Sequence, residues 1–223
     1  MRIRAFTPIH VGVEELQRRQ ERYNRLCPEG IQVELEDLPD TLQTPRELAS
    51  PVQLRASENI GIELGSKTDP FTYDALLPDC VLDPGVEELD KITTVPVLAI
   101  TRLSGHFLAA TGTHFGVLTR NSTIANEYRA TIDRYGLSST FVGAYVLDLD
   151  VADISDTEKW NAAVARAAKE AKAAGITVLL NGCSAVETTV STPWVKLIDP
   201  TALALKTIKY SISEHLLKQD MFH

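Results

Sequence analysis

The chain has 223 residues, of which 44% are hydrophobic, 23% charged and 6% aromatic, with 12 glycines and 11 prolines. That composition excludes collagen-like, low-complexity and extensively disordered polypeptides. Twenty-two basic against thirty acidic residues leave a formal charge of −8, so attraction to a phosphate backbone is not expected to dominate binding and no nucleic-acid partner is expected.

Taken in order, a short apolar strand (Ile3 to Phe6) runs through Thr7-Pro8 into a charged helical stretch from Val13 to Leu26, which Cys27-Pro28-Glu29-Gly30 ends. An alternating strand from Ile31 to Leu38 follows, and Leu42 to Gly65 contains a second helical stretch. The apolar run Tyr73 to Leu77 reads as a buried strand reaching Cys80, a short helix follows Pro84, and Val95 to Ile100 reads as a further strand. The second half repeats the order. Phe115 to Leu118 is a strand, Thr119 to Ser122 a turn, Thr123 to Tyr135 a helix stopped by Gly136, and Phe141 to Leu149 a strand. Asp156 to Ala174 is an Ala-rich helix, Ile176 to Leu180 a strand closed by Gly182-Cys183, and Val195 to Ile198 the last strand, before a helical segment from Ala202 to Leu217.

Strands alternating with helices imply parallel sheets covered by helices, because parallel pairing needs crossover connections. The repeated order predicts an α/β fold of two pseudo-symmetric Rossmann-like lobes with a cleft between them. The first lobe comprises residues 1–100 plus about 201–223 and carries Cys80; the second comprises about 101–200 and carries Cys183. The N-terminal segment has only a short apolar stretch before the charged run from Glu14 to Arg25, so neither a signal peptide nor a membrane span is expected. Three scattered cysteines without a C-x-x-C pair read as reduced thiols of a cytoplasmic protein.

Cys80 and Cys183 hold equivalent places at strand ends, where open α/β sheets bind their ligands. Two thiols on opposite walls of one cleft suit inversion at a carbon acid, one thiolate taking a proton from one face while the other thiol delivers a proton to the opposite face. A helix beginning after each cysteine is expected to favour the thiolate, and neighbouring peptide N–H groups to hold a substrate oxygen. For a lone cysteine the ordinary reading is a small buried hydrophobe; the duplication favours chemistry for this pair, while Cys27 keeps the ordinary reading. Neither a metal nor an organic cofactor is required.

These residues resemble the aspartate/glutamate/hydantoin racemase superfamily, and most of all its hydantoin and allantoin racemase branch. Asp79-Cys80-Val81-Leu82-Asp83-Pro84-Gly85 resembles the branch's first-cysteine motif, and Asn181-Gly182-Cys183-Ser184-Ala185 its second. Val95-Pro96-Val97, Phe115-Gly116-Val117-Leu118-Thr119, Arg134-Tyr135-Gly136-Leu137 and Leu197-Ile198-Asp199-Pro200 match family segments in order. The resemblance implies an interlobe active site, a cofactor-independent two-base mechanism with Cys80 and Cys183 as the acid/base pair, a small-molecule substrate and a homo-oligomer. It also implies that backbone groups at Val81 and Ser184, the Ser184 hydroxyl and the Thr119 hydroxyl hold substrate oxygens. Arg120 is either an attractor of an anionic substrate or a solvated surface charge. Where hydantoin racemases carry an Asn-Pro-Asn-Thr-like turn, this chain has Thr7-Pro8-Ile9-His10. Pro8, Ile9 and His10 therefore line the pocket without the two amides that would pair with a hydantoin ring, His10 being either a polar partner or a plain helix-start residue.

A maleate-isomerase-like reaction with a cysteine nucleophile, an arylmalonate-decarboxylase-like reaction and a non-catalytic α/β binding protein are the alternatives. Gly61 to Thr68 has phosphate-loop composition in the wrong order, between a helix and a strand. His106 and His114 lack an acidic ligand motif, so no metal site is expected.

Overall fold

The computed structural model describes residues 1–188, 190, 192–214 and 216. Among these are seven strands and seven α-helices, alternating except where α4 follows α3 and β7 follows β6. They are β1 (Arg2–Phe6), α1 (Val13–Leu26), β2 (Gln32–Glu36), α2 (Pro51–Gly65), β3 (Ala75–Pro78), α3 (Val86–Ile92), α4 (Ile100–Ala110), β4 (Phe115–Thr119), α5 (Ser122–Arg134), β5 (Phe141–Val146), α6 (Thr157–Ala173), β6 (Val178–Asn181), β7 (Lys196–Ile198) and α7 (Pro200–Ser213). The chain forms two compact units, Met1–Leu103 with Thr201–His223, and Ser104–Pro200.

The first unit holds a parallel sheet of order β2-β1-β3, in which Phe6 of β1 pairs with Glu36 on one side and Pro78 on the other. The segment expected as a strand from Val95 to Ile100 is instead a single parallel bridge, Leu76 to Val97, followed by α4 from Ile100. Pro96 accepts from Leu76 N through its carbonyl (3.0 Å) but has no N–H to continue a ladder. Helix α2 covers the sheet through Gly61 and Gly65, four residues apart on one face: a Cβ there would stand 2.8 Å from Phe6 and 2.6 Å from Leu89, respectively. The glycines of the apparent phosphate loop therefore serve helix-to-sheet packing. Phe6, Leu38, Leu76, Val86, Leu89 and Val97 form part of the core beneath. Helix α7 belongs to this unit, and its Lys209 donates to Glu29 O at 2.8 Å. The expected helix to Leu217 ends at Ser213, and Leu217 lies outside the described residues.

The second unit holds a parallel sheet of order β5-β4-β6-β7, in which Leu118 of β4 pairs with Tyr145 and Asn181. The alanine-rich sequence of α6 places Ala163, Ala167, Ala168 and Ala171 in the core with Trp160 and Val164, where small side chains let the helix lie close on the sheet. The two inner strands, β4 and β6, are buried along their whole length, as expected for a parallel sheet covered on both faces. Among the described residues no helix is long and apolar enough to cross a membrane.

Candidate active site

Each cysteine lies two residues past the end of a strand that pairs with the central one, Cys80 after β3 and Cys183 after β6. Matching the cysteines matches Pro78 with Asn181, Phe6 with Leu118 and, one residue on, Thr7 with Thr119. The duplication read from element order thus extends to strand register.

Cys80 is buried in a turn whose peptide groups are spoken for: Cys80 N donates to Pro78 O (2.9 Å) and Asp83 N to Cys80 O (3.1 Å). Asp83 sits at φ 50, an uncommon left-handed conformation for a non-glycine residue. Its carboxylate takes Thr101 N (3.2 Å) and Arg102 N (2.9 Å), while the Thr101 hydroxyl donates to Val81 O (2.5 Å). The Asp-Pro-Gly signature therefore fastens the Cys80 turn to the first turn of α4, satisfying helix N–H groups that have no partner of their own.

Asp79, beside Cys80, is 2% exposed. It accepts from the Tyr23 hydroxyl at 2.8 Å and stands 3.6 Å from the Arg19 guanidinium, which also binds Glu15 at 2.8 Å. Burial, reinforced by the Asp79 charge, pushes the Tyr23 phenol well above its ordinary value, so it stays a neutral donor. Burial also raises the Glu15 carboxyl, but Arg18 and Arg19 outweigh it and leave the pKa lowered. Helix α1 thus braces the Cys80 turn from behind through residues that the sequence reading passed over. The available signal was a charged residue, Asp79, placed directly before an apolar-strand cysteine.

Thr7, Pro8, Ile9 and His10 form the turn after β1. The Thr7 hydroxyl lies 2.8 Å from Ile9 O and 3.0 Å from Asp37 Oδ1, and accepts from Leu38 N at 3.2 Å. Asp37 also receives Val11 N (2.9 Å) and Gly12 N (2.8 Å). Imidazole Nδ1 of His10 is 2.9 Å from both Leu38 O and Asp37 Oδ2; both are acceptors, so Nδ1 carries a proton. His10 is accordingly committed through that nitrogen to the scaffold. Pro8 O accepts from Ser57 (2.5 Å), and Ile9 is buried.

At the other cysteine, Asn181 Oδ1 accepts from Cys183 N (3.2 Å) and its Nδ2 donates to Val186 O (2.6 Å), closing the turn that carries half-buried Cys183 and buried Ser184. A Cβ on Gly182 would stand 1.9 Å from Leu118 O, so the missing side chain is what lets this turn lie against the end of β4. Thr119 there is 1% exposed with an unpartnered Oγ1. Arg120 is 7% exposed, and its Nη1 reaches Leu149 O only at 3.5 Å.

The short helix expected after Pro84 is present as α3, which begins at Val86, six residues past Cys80. The helix expected after Cys183 is not found: a turn at Ser184-Ala185 follows it, with no helix among the described residues before Pro200. Each cysteine thus sits in a tight turn. Burial raises the thiol pKa of Cys27, so it is not readily a thiolate.

Residues 13–208 match the Asp/Glu/Hydantoin racemase family. The chain belongs to that family. Family membership makes it a racemase-type isomerase acting on a small molecule. Among solved structures it is similar to allantoin racemase from Pseudomonas fluorescens (TM-score 0.83, 14% identity, covering 100% of this chain and 95% of that one). It is similar also to allantoin racemase from Klebsiella pneumoniae (TM-score 0.78, 19% identity, 100% and 91%). Glutamate racemase from Francisella tularensis, solved with D-glutamate, shares the fold at TM-score 0.59 and 20% identity, covering 97% of this chain and 83% of that one. Among curated proteins none matches the chain in sequence.

Proposed function

We propose that this racemase-family protein inverts the stereocentre of a small carbon acid, hydantoin-, allantoin- or amino-acid-like, by a cofactor-independent two-cysteine mechanism. The observation that carries the reading is the register equivalence of Cys80 and Cys183, each two residues past the strand that flanks its central strand. In the forward direction one thiolate removes the proton from the stereocentre, leaving a planar carbanion whose charge passes to the adjoining carbonyl oxygen. The other thiol then delivers its proton to the opposite face, and the roles of the two sulfurs are exchanged at the end of the turnover. The peptide groups about Val81 and Ser184, the Ser184 hydroxyl and the Thr119 hydroxyl receive the developing oxyanion and orient the substrate. Pro8 and Ile9 contribute an apolar wall, and His10 shapes the β1 turn.

The test is solvent-proton exchange. In deuterium oxide, inversion of hydantoins, allantoin or amino acids is expected to introduce deuterium at the stereocentre. Cys80→Ser and Cys183→Ser are each expected to lower turnover roughly a hundredfold or more. Unchanged turnover in both variants sinks the mechanism. A covalent sulfur adduct with maleate, without exchange at a stereocentre, identifies the isomerase chemistry instead. A homo-oligomer, expected from the resemblance, is checked by light scattering.

A further inference from the structure

We infer that the outer edge of β5 is the contact at which two copies of this chain pair, strand against strand. This gives the homo-oligomer proposed above its interface and rests on that oligomer, not on the racemase chemistry.

The edge of a sheet presents peptide N–H and C=O groups without partners, and proteins either guard such edges or pair them. The two sheets have four edges among the described residues, and three are guarded. At β2 the outward groups belong to Val33 and Leu35. The Gln20 carboxamide from α1 takes both, Nε2 donating to Val33 O (2.8 Å) and Oε1 accepting from Leu35 N (2.8 Å), which is the pattern a neighbouring strand would make. Asn24 holds that amide at 2.9 Å, and the Val33 backbone also bonds the Cys27 thiol. Strand β3 is covered by the segment around Val97, through Leu76 N to Pro96 O (3.0 Å) and Leu98 N to Leu76 O (2.7 Å). Strand β7 has three residues and opens on exposed Lys196, a short and charged edge of the kind that discourages pairing.

Strand β5 has none of these devices. Leu147 N donates to Thr119 O (2.8 Å), so the alternation of the strand turns the peptide groups of Tyr145 inward with it and those of Ala144 and Val146 outward. Among the described residues no hydrogen bond reaches those outward groups. The strand is six residues of Phe-Val-Gly-Ala-Tyr-Val, with no proline and no charged side chain, and its Val142 is 38% exposed.

Charge decides the occupant. A strand that meets its own copy across a two-fold axis runs antiparallel to it, bringing the same residues of both copies together. On β2 that would set Glu34 and Glu36 near their own copies, and like charges across a strand pair are destabilising. On β5 no like charges meet, and the outward N–H and C=O groups of one copy find the complementary groups of the other. Two four-stranded sheets thereby become one continuous sheet.

The experiment combines light scattering with amide hydrogen exchange on the full chain, without substrate. The wild type is expected at an even multiple of the chain mass, with the Ala144 and Val146 amides exchanging as slowly as those of Tyr145 and Leu147. Ala144→Pro removes one outward N–H and no bond to β4. It is expected to halve the mass and to speed exchange at Val146 about a hundredfold. A wild type of single-chain mass overturns both this inference and the homo-oligomer, and leaves the edge to a foreign strand. An oligomer whose Ala144 and Val146 amides exchange fast, or whose mass is unchanged by Ala144→Pro, overturns this inference alone. If Ala144→Pro does not fold, exchange at the two amides of the wild type decides by itself, slow exchange supporting the pairing and fast exchange refuting it.

Discussion

Thr7 ends β1 with its hydroxyl against Ile9 O and Asp37, whereas its counterpart Thr119 ends β4 with a buried hydroxyl that meets no partner. The residues before the two cysteines differ as sharply. In the first unit that residue is Asp79, buried and braced by Tyr23 and Arg19 from α1. In the second it is Gly182, which braces nothing and fits because it has no side chain. The Cys80 turn is thus held from outside, by α1 and by the start of α4, while the Cys183 turn is held from within, by the two amide bonds of Asn181. A duplicated plan need not be stabilised twice in the same way: identical register leaves each half free to place its polar groups in scaffold or to keep them unspent.

The strongest way to break the comparison is Gly182→Ala. A contact of 1.9 Å with a strand carbonyl cannot be relieved by a rotamer change, so a loss of at least about 4 kcal/mol, or failure to fold, is expected in chemical denaturation. The equivalent position in the first unit tolerates a side chain but depends on its charge. Asp79→Asn is expected to cost about 2 kcal/mol, since Arg19 keeps Glu15 but loses the Asp79 charge and the Tyr23 hydroxyl loses an ionised acceptor, and to lower kcat through a less well-held Cys80. An unaltered denaturation midpoint would show that α1 does not brace that turn.

The threonine pair sharpens the comparison at smaller scale. Thr7→Val removes a hydroxyl with partners on two sides and is expected to destabilise by about 1–3 kcal/mol. Thr119→Val removes one without a partner and is expected to be neutral or slightly stabilising. Equal losses would abolish the distinction drawn between the two strand ends.

The smallest effect is one of pH. The Tyr23 phenol ionises in the unfolded chain near pH 10 but at a higher pH in the folded one, because burial and Asp79 oppose its charge. Its contribution is therefore fully present below about pH 10 and is lost as pH rises from there through the folded value. Tyr23→Phe is expected to flatten that alkaline slope, measured as denaturation midpoint against pH.

Much of this was legible in residue order. The alternation of apolar runs with amphipathic stretches reports parallel strands and crossover helices directly, since each element must bury a face with its own period. The two cysteines were legible because both end such runs, and the turn residues around them carry the family resemblance. Three features were not. Pro96 sits in an apolar run that reads as a strand, yet its missing N–H reduces that strand to a bridge. The expected helix after Cys183 is a turn, because Asn181 offers the backbone side-chain partners that compete with helix formation. Asp37 and Tyr23 bear on the site from 26 to 56 residues away in the chain, a separation over which no local pattern reports.

By itself the sequence determined the alternating α/β order, its duplication and the pair of thiols that match within it, because periodicity and turn chemistry are local properties. Only the tertiary structure decided which polar groups spend their bonds on the scaffold. Thr7 and Thr119 are the same residue at the same register, and Arg19 and Arg120 the same residue at equal burial. What separates the threonines is whether a carboxylate from a distant segment, Asp37 beside Thr7, arrives next to them, and that depends on how the strands are brought together in space.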